Sequence, residues 1–149
     1  MFDDALKAEK SQRAVLDWLI GKGAQTRWGV SRGLRKGMSY EEYRKVAPVV
    51  EYESVRPDVM RMVRGDSDVL WPGVCKRFAQ SSGTSGGKSK FIPVTKDSLY
   101  VNHYAGASAP VAFYLDENRA SRMFSGKGLI LGGSFANELS SLPAGVKVG

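Results

Sequence analysis

Phe78-Ala79-Gln80-Ser81-Ser82-Gly83-Thr84-Ser85-Gly86-Gly87-Lys88-Ser89-Lys90-Phe91-Ile92-Pro93 decides how this chain is read. From Ser81 to Lys90 it carries only Ser, Gly, Thr and Lys, between two apolar flanks. Val74 to Gln80 is strand-like, with β-branched Val74, Cys75 and Phe78. Phe91 to Val94 resumes a strand, and its proline predicts a sheet edge. Glycines let a backbone approach a ligand and converge its N–H groups on an anion. Hydroxyls add donors and lysine adds charge, so the segment reads as a phosphate cradle held between strands. A Gly/Ser linker has the same composition; the order of the residues has to separate the two.

Outward toward the N-terminus, Leu6, Val15, Leu16, Leu19 and Ile20 recur near helical spacing, and Gly21 and Gly23 end that helix. Arg27 to Gly37 is a basic, Gly-rich segment without an acid, expected as a solvated loop. Ser39 with Glu42 forms a capping box for a short helix to about Ala47, which Pro48 stops. Residues 51–66 suggest another short helix, and the aromatic and Met residues at 60–71 read as core. Gly65-Asp66-Ser67-Asp68 and Pro72-Gly73 are turns. Beyond the loop, Thr95 caps a helix running from near Lys96 to about Asp116, and Lys127 to Gly133 holds a short buried strand. Leu139 to Gly149 offers no cap, helix or paired strand to cover Leu129-Ile130-Leu131. An incomplete chain is the expectation, since a buried α/β strand needs both faces covered.

At 149 residues the chain suits one domain, and 42% hydrophobic with 25% charged residues is ordinary globular usage. Nothing approaches an uninterrupted membrane span, and the acids at Asp3 and Asp4 argue against a secretory leader. The lone Cys75 cannot form an internal disulfide, so a reducing compartment, the cytoplasm, is expected. The net charge of +7 divides into +2 over residues 1–75 and +5 over 76–149, the half with the Gly-rich loop. A small phosphorylated ligand suits that placement at least as well as a nucleic acid.

Two named phosphate motifs fail. The Walker pattern needs G-x-x-x-x-G-K-[ST]; Gly87-Lys88-Ser89 supplies its end, but the first glycine falls on Ser82 and no helix follows. G-x-G-x-x-G is absent from the loop, and around Gly126 and Gly128 the third glycine arrives late, at Gly132.

What fits is S-S-G-T-S-x-G-x-x-K at Ser81 to Lys90, which closely resembles the phosphate-binding loop of the adenylate-forming superfamily. With two leading serines and a following Phe-Ile-Pro, it is similar to the auxin-responsive acyl-acid amido synthetases (Gretchen Hagen three) and their bacterial relatives. Arg27 to Gly29, Tyr52-Glu53, Pro57, Arg61-Met62, Gly65-Asp66, Leu70 and Pro72-Gly73 fall in that family's order, so the resemblance runs over nearly the whole chain.

The resemblance implies an α/β fold: the N-terminal part of an adenylating large domain over residues 1–149, helical at its start, then strands flanking the loop, with the C-terminal domain absent. It implies a ligase in full-length form. A carboxylate attacks the α-phosphate of ATP, with Mg2+ assisting, and an amino acid amine then takes the acyl group; the fragment alone is expected to be inactive. Small carboxylic and amino acids are the implied partners, with no nucleic acid and no membrane. By the same resemblance Ser81, Ser82, Gly83, Thr84, Ser85, Gly87, Lys88 and Lys90 bind the ATP phosphates, and Tyr100 and His103 are weaker substrate-site candidates. The rival reading is a non-catalytic nucleotide- or phosphate-binding module. No catalytic base is assigned, and one Cys with one His makes no zinc site. His103 is otherwise a half-buried helix residue, and Asp66 and Asp68 are turn formers before they are magnesium ligands.

Overall fold

A computed structural model describes residues 2–81, 89–129, 132, 139 and 141–149, with side chains from Lys7 onward; among them four α-helices precede a β-hairpin, and a fifth helix and a third strand follow. Helix α1 spans Phe2–Gly23, α2 Arg27–Ser31, α3 Tyr40–Val46 and α4 Tyr52–Val63. Strand β1 is Arg77–Ser81 and β2 is Lys90–Pro93; a π-helical segment, Ser98–Tyr104, leads into α5, Ala105–Glu117, and β3 is Lys147–Val148. The sheet order is β2-β1-β3, β1 pairing antiparallel with β2 and parallel with β3. The α/β expectation holds, with strands ending at Ser81 and resuming at Lys90 as the loop pattern requires.

The two apolar clusters follow from short-range spacing. Val59, Met62 and Val63 lie on one stripe of α4 and pack against Phe78 and Phe91 of the hairpin, with Val69, Cys75, Val146 and Val148. Met60, Leu70 and Trp71 pack onto this cluster, as the reading of residues 60–71 as core anticipates. The second cluster is Ile20, Leu34 and Met38, with Leu16, Trp28 and Tyr43 around it. Ile20 is buried while Val15 and Leu19 are exposed, so only one stripe of α1 is covered among the described residues.

Local signals translate directly where they are complete. Ser39 accepts from the Glu42 N–H at 3.1 Å, and Glu42 accepts from the Ser39 N–H at 2.7 Å, closing the capping box on α3. Thr95 Oγ1 accepts from the Ser98 N–H at 3.0 Å, so the cap before the post-loop helix is present and the first turns are π-helical.

Three expectations need correction. The basic segment at Arg27 to Gly37 is not all loop: α2 forms because buried Thr26 accepts from the Gly29 N–H at 3.0 Å and donates to the Gly23 carbonyl at 2.7 Å. Val74 to Lys76 stay outside β1; Val74 emerges exposed from the turn at Gly73, where φ is +82°. Near the C-terminus, a turn at Pro143 to Val146, with φ +80° at Gly145, sends Lys147–Val148 alongside β1. The Lys147 N–H donates to the Lys76 carbonyl at 2.9 Å and Val148 is 1% exposed, so this stretch does contain a paired strand. Of the strand expected over Lys127 to Gly133, Ile130, Leu131 and Gly133 lie outside the described residues; Lys127 to Leu129 have no regular structure.

Pro93 sits where a proline does least harm. Val94 donates to the Arg77 carbonyl at 2.8 Å, so by the alternation of an antiparallel pair the nitrogen of Pro93 points away from β1.

Gly29 is constrained by space: a Cβ there would stand 2.0 Å from the Gly23 carbonyl oxygen. Gly29→Ala should therefore lower the unfolding midpoint in urea, at a cost of about 1–3 kcal/mol. Gly21→Ala, in open space inside α1, should be neutral or stabilising; equal effects of the two would contradict the close approach. Glu42 provides a pH test. The Ser39 N–H, and after it Arg35, hold its carboxyl below the ordinary range. A depressed carboxylate stabilises above its unfolded pKa of about 4.3 and loses that stabilisation as pH falls through the lower folded value. The midpoint difference between wild type and Glu42→Gln should be constant from neutral pH to about 5 and shrink below about 4.

Candidate functional site at the hairpin mouth

Ser81 and Lys90 are the last paired residues of β1 and β2, so the two ends of the phosphate-loop motif are brought together by strand register. Ser82, Gly83, Thr84, Ser85, Gly87 and Lys88 lie outside the described residues. Ser81 is half-buried and Lys90 is exposed, placing the cation on the surface at the mouth of the hairpin.

Lys90 is framed by a residue that the motif does not contain. Tyr52 opens α4, is half-buried against the sheet-side cluster, and directs its hydroxyl at the backbone of Phe91. Its Oη accepts from the Phe91 N–H at 2.8 Å and donates to the Phe91 carbonyl at 3.2 Å. The Lys90 Nζ stands 5.5 Å from the centroid of the same ring. In sequence Tyr52 stands out only as part of the family-like order of residues; nothing local announces a contact 39 positions away.

At the other end of the strands, Trp71 Nε1 donates to Asp97 Oδ2 at 3.1 Å, and Lys22 Nζ pairs with the same oxygen at 3.4 Å. Trp18 packs on Trp71 with ring centroids 5.6 Å apart. These contacts tie α1 to the chain leaving β2. They flank a cleft of about 560 Å³ that includes Trp71, Cys75, Arg77 and Asp97 in its walls. That cleft adjoins the start of β1 and the end of β2, away from the loop mouth.

Tyr100 and His103 are not gathered to the mouth. Both are exposed on the π-helical segment and meet Tyr104 at 5.5 Å between centroids, Tyr100 tilted and His103 edge-on. Among the described residues, no hydrogen bond, ion pair or ring contact joins them to Ser81 or Lys90. The expectation of a half-buried His103 is corrected, since its whole turn faces outward.

The remaining chemistry-bearing groups have structural partners. Asp68, at φ +56°, accepts from the Gly73 N–H at 2.7 Å, which together with the Ser67 side chain lowers its pKa. Asp66 pairs with Arg61 at 3.2 Å and with Arg27 at 3.7 Å, so both carboxylates belong to the turn. Of the basic segment, Arg27 meets Asp66, Arg35 meets Glu42, and Arg32 lies over Trp28 at 4.6 Å. The positive face that composition suggests is thus partly neutralised by acids from α3 and from the turn after α4. Among the described residues, no three His, Cys, Asp or Glu side chains converge as a metal site, and no helix is long and apolar enough to cross a membrane.

Cys75 is buried, and loss of solvation raises its thiol pKa, an effect the backbones of Arg77 and Val94 partly offset. At about pH 8 iodoacetamide should leave it unmodified in the native protein and label it after unfolding in urea. Equal rates in the two states would show that the thiol is accessible.

A family model described as the GH3 family N-terminal domain matches residues 2–149. Indole-3-acetic acid-amido synthetase GH3.6 of Arabidopsis thaliana is 34% identical over 98 residues, covering 65% of this chain and 16% of that protein. The probable indole-3-acetic acid-amido synthetase GH3.4 of Oryza sativa subsp. japonica is 37% identical over 97 residues, covering 62% of this chain and 15% of that protein. Among solved structures, GH3.15 acyl acid amido synthetase superposes with a TM-score of 0.67 at 29% identity, over 94% of this chain and 24% of that one. The matched stretches of this chain thus span about a sixth of the length of these curated relatives.

Proposed function

The chain belongs to the GH3 family as its N-terminal domain, and on that premise we propose that it is the phosphate-gripping part of an ATP-dependent acyl-acid amido synthetase. Residues 1–149 form the opening portion of the adenylating large domain. The single observation that carries the reading is the pairing of Ser81 with Lys90, which sets both ends of the S-S-G-T-S-x-G-x-x-K motif at one hairpin mouth.

In this reading the loop from Ser81 to Lys90 grips the β- and γ-phosphates of ATP. Thr84, Ser85 and the two leading serines offer hydroxyls, Gly83 and Gly87 allow backbone approach, and Lys90, with Lys88 as a second cation, meets phosphate oxygens. Donors of these types would act on the charge that gathers on departing pyrophosphate when a carboxylate attacks the α-phosphate. Mg2+ would be carried on the ATP phosphates, which the Ser, Thr and Lys donors of this loop would hold. When bound it neutralises the same developing charge. An amino acid amine then takes the acyl group and releases AMP. The names of the relatives, all amido synthetases, support small carboxylic and amino acids as substrates of the whole protein. Tyr100 and His103 remain candidates for the acyl side, and a soluble, cytoplasmic setting suits such chemistry.

ATP–pyrophosphate exchange in the full-length protein, run with a panel of carboxylic acids, tests the reading: label should exchange only when an accepted acid is present. Lys90→Ala should raise the KM for ATP roughly tenfold or more, the loss of a charge-assisted contact, and Arg35→Ala should leave it within about twofold. ATP binding without exchange for any acid would favour the non-catalytic binding module. Salt-sensitive binding of single-stranded nucleic acid that Arg35→Ala removes would instead favour the basic segment as the working surface.

A further inference from the structure

We propose that Tyr52 is a positioning residue for Lys90, working with two different parts of one side chain; this rests on the assignment of Lys90 to the nucleotide phosphates. Tyr52 stands on α4, which the burial of Val59, Met62 and Val63 anchors against the sheet. Its hydroxyl takes both the N–H and the carbonyl of Phe91, at 2.8 and 3.2 Å, as a residue of a neighbouring strand would. The backbone next to Lys90 is thereby fixed, and with it the point from which the lysine stem starts. The ring then limits where the stem goes: Nζ lies 5.5 Å from its centroid. A lysine stem is long and flexible, and ordering it costs entropy on binding. Attraction of the ammonium to an aromatic face offsets part of that cost before any nucleotide arrives. The hold is weaker than a charge-assisted contact with phosphate, so ATP can draw the ammonium off the ring.

The test is a double-mutant cycle in the full-length protein, read by acid-dependent ATP–pyrophosphate exchange. Tyr52→Leu should raise the KM for ATP roughly threefold to tenfold while the KM for the acid stays within about twofold. Tyr52→Phe keeps the ring and should fall between wild type and Tyr52→Leu. In a Lys90→Met background, Tyr52→Leu should add less than about twofold, because the group it acts through is gone. A full, multiplicative effect in that background, or an equal rise in the KM for the acid, would reduce Tyr52 to a structural residue and overturn the inference. If Lys90→Met alone leaves the KM for ATP unchanged, the phosphate role of Lys90 falls first and the inference with it. Should Tyr52→Leu fail to fold, the cycle of Tyr52→Phe with Lys90→Met carries the same test.

Discussion

The first two amides of α2 hold the molecule together. Arg27 N–H donates to the Asp68 carbonyl at 2.7 Å and Trp28 N–H to the Val69 carbonyl at 3.1 Å. A helix of five residues cannot sustain itself in water, and its leading N–H groups would otherwise lack partners. Here the turn following α4 and the residue just after it supply them, and that residue, Val69, is fully buried. The cluster around Ile20 and the cluster around Phe78 are thereby built on one frame. Thr26 and Gly29 complete the joint, the first by capping and the second by having no side chain to collide with α1. Asp97 adds a second tie by receiving Trp71 and Lys22 together.

This joint explains how a hairpin with a long connection can be held open. The commonest hairpins close through two residues; β1 and β2 are joined by residues 82–89. Residues 82–89 include no apolar side chain, so the strands depend on what lies behind them. Phe78 and Phe91 anchor one face against α4, and Tyr52 secures the outer side of β2. Ser81 and Lys90, the two ends of the motif, are therefore fixed in strands whose other faces are already secured.

What could be read in the sequence was what short range determines. Ser39 and Glu42 are three residues apart and cap one helix, so their pattern and their geometry are the same statement. The loop motif likewise identifies its own flanking strands, because the polarity changes abruptly at Ser81 and Lys90. The short helix α2 was hidden because its partners are the distant carbonyls of Asp68 and Val69, and basic residues with glycine read as loop. β3 was hidden because two residues give no alternation to detect, although the turn at Pro143 to Gly145 marks its start. Tyr52 was hidden as a contact for the same reason as α2: sequence distance conceals a hydroxyl aimed at a backbone.

The groups on the outer side of β2 have a bearing on how copies of this chain behave in a crowded solution. A bare sheet edge is a template on which another molecule can lay a strand and begin to polymerise. On this flank the outward backbone groups belong to Phe91 and Pro93. Both groups of Phe91 are occupied by the Tyr52 hydroxyl, and Pro93 has no N–H to give. An arriving strand would find a solitary acceptor and no donor to reciprocate. Along its outer side, the hairpin is a poor seed for aggregation.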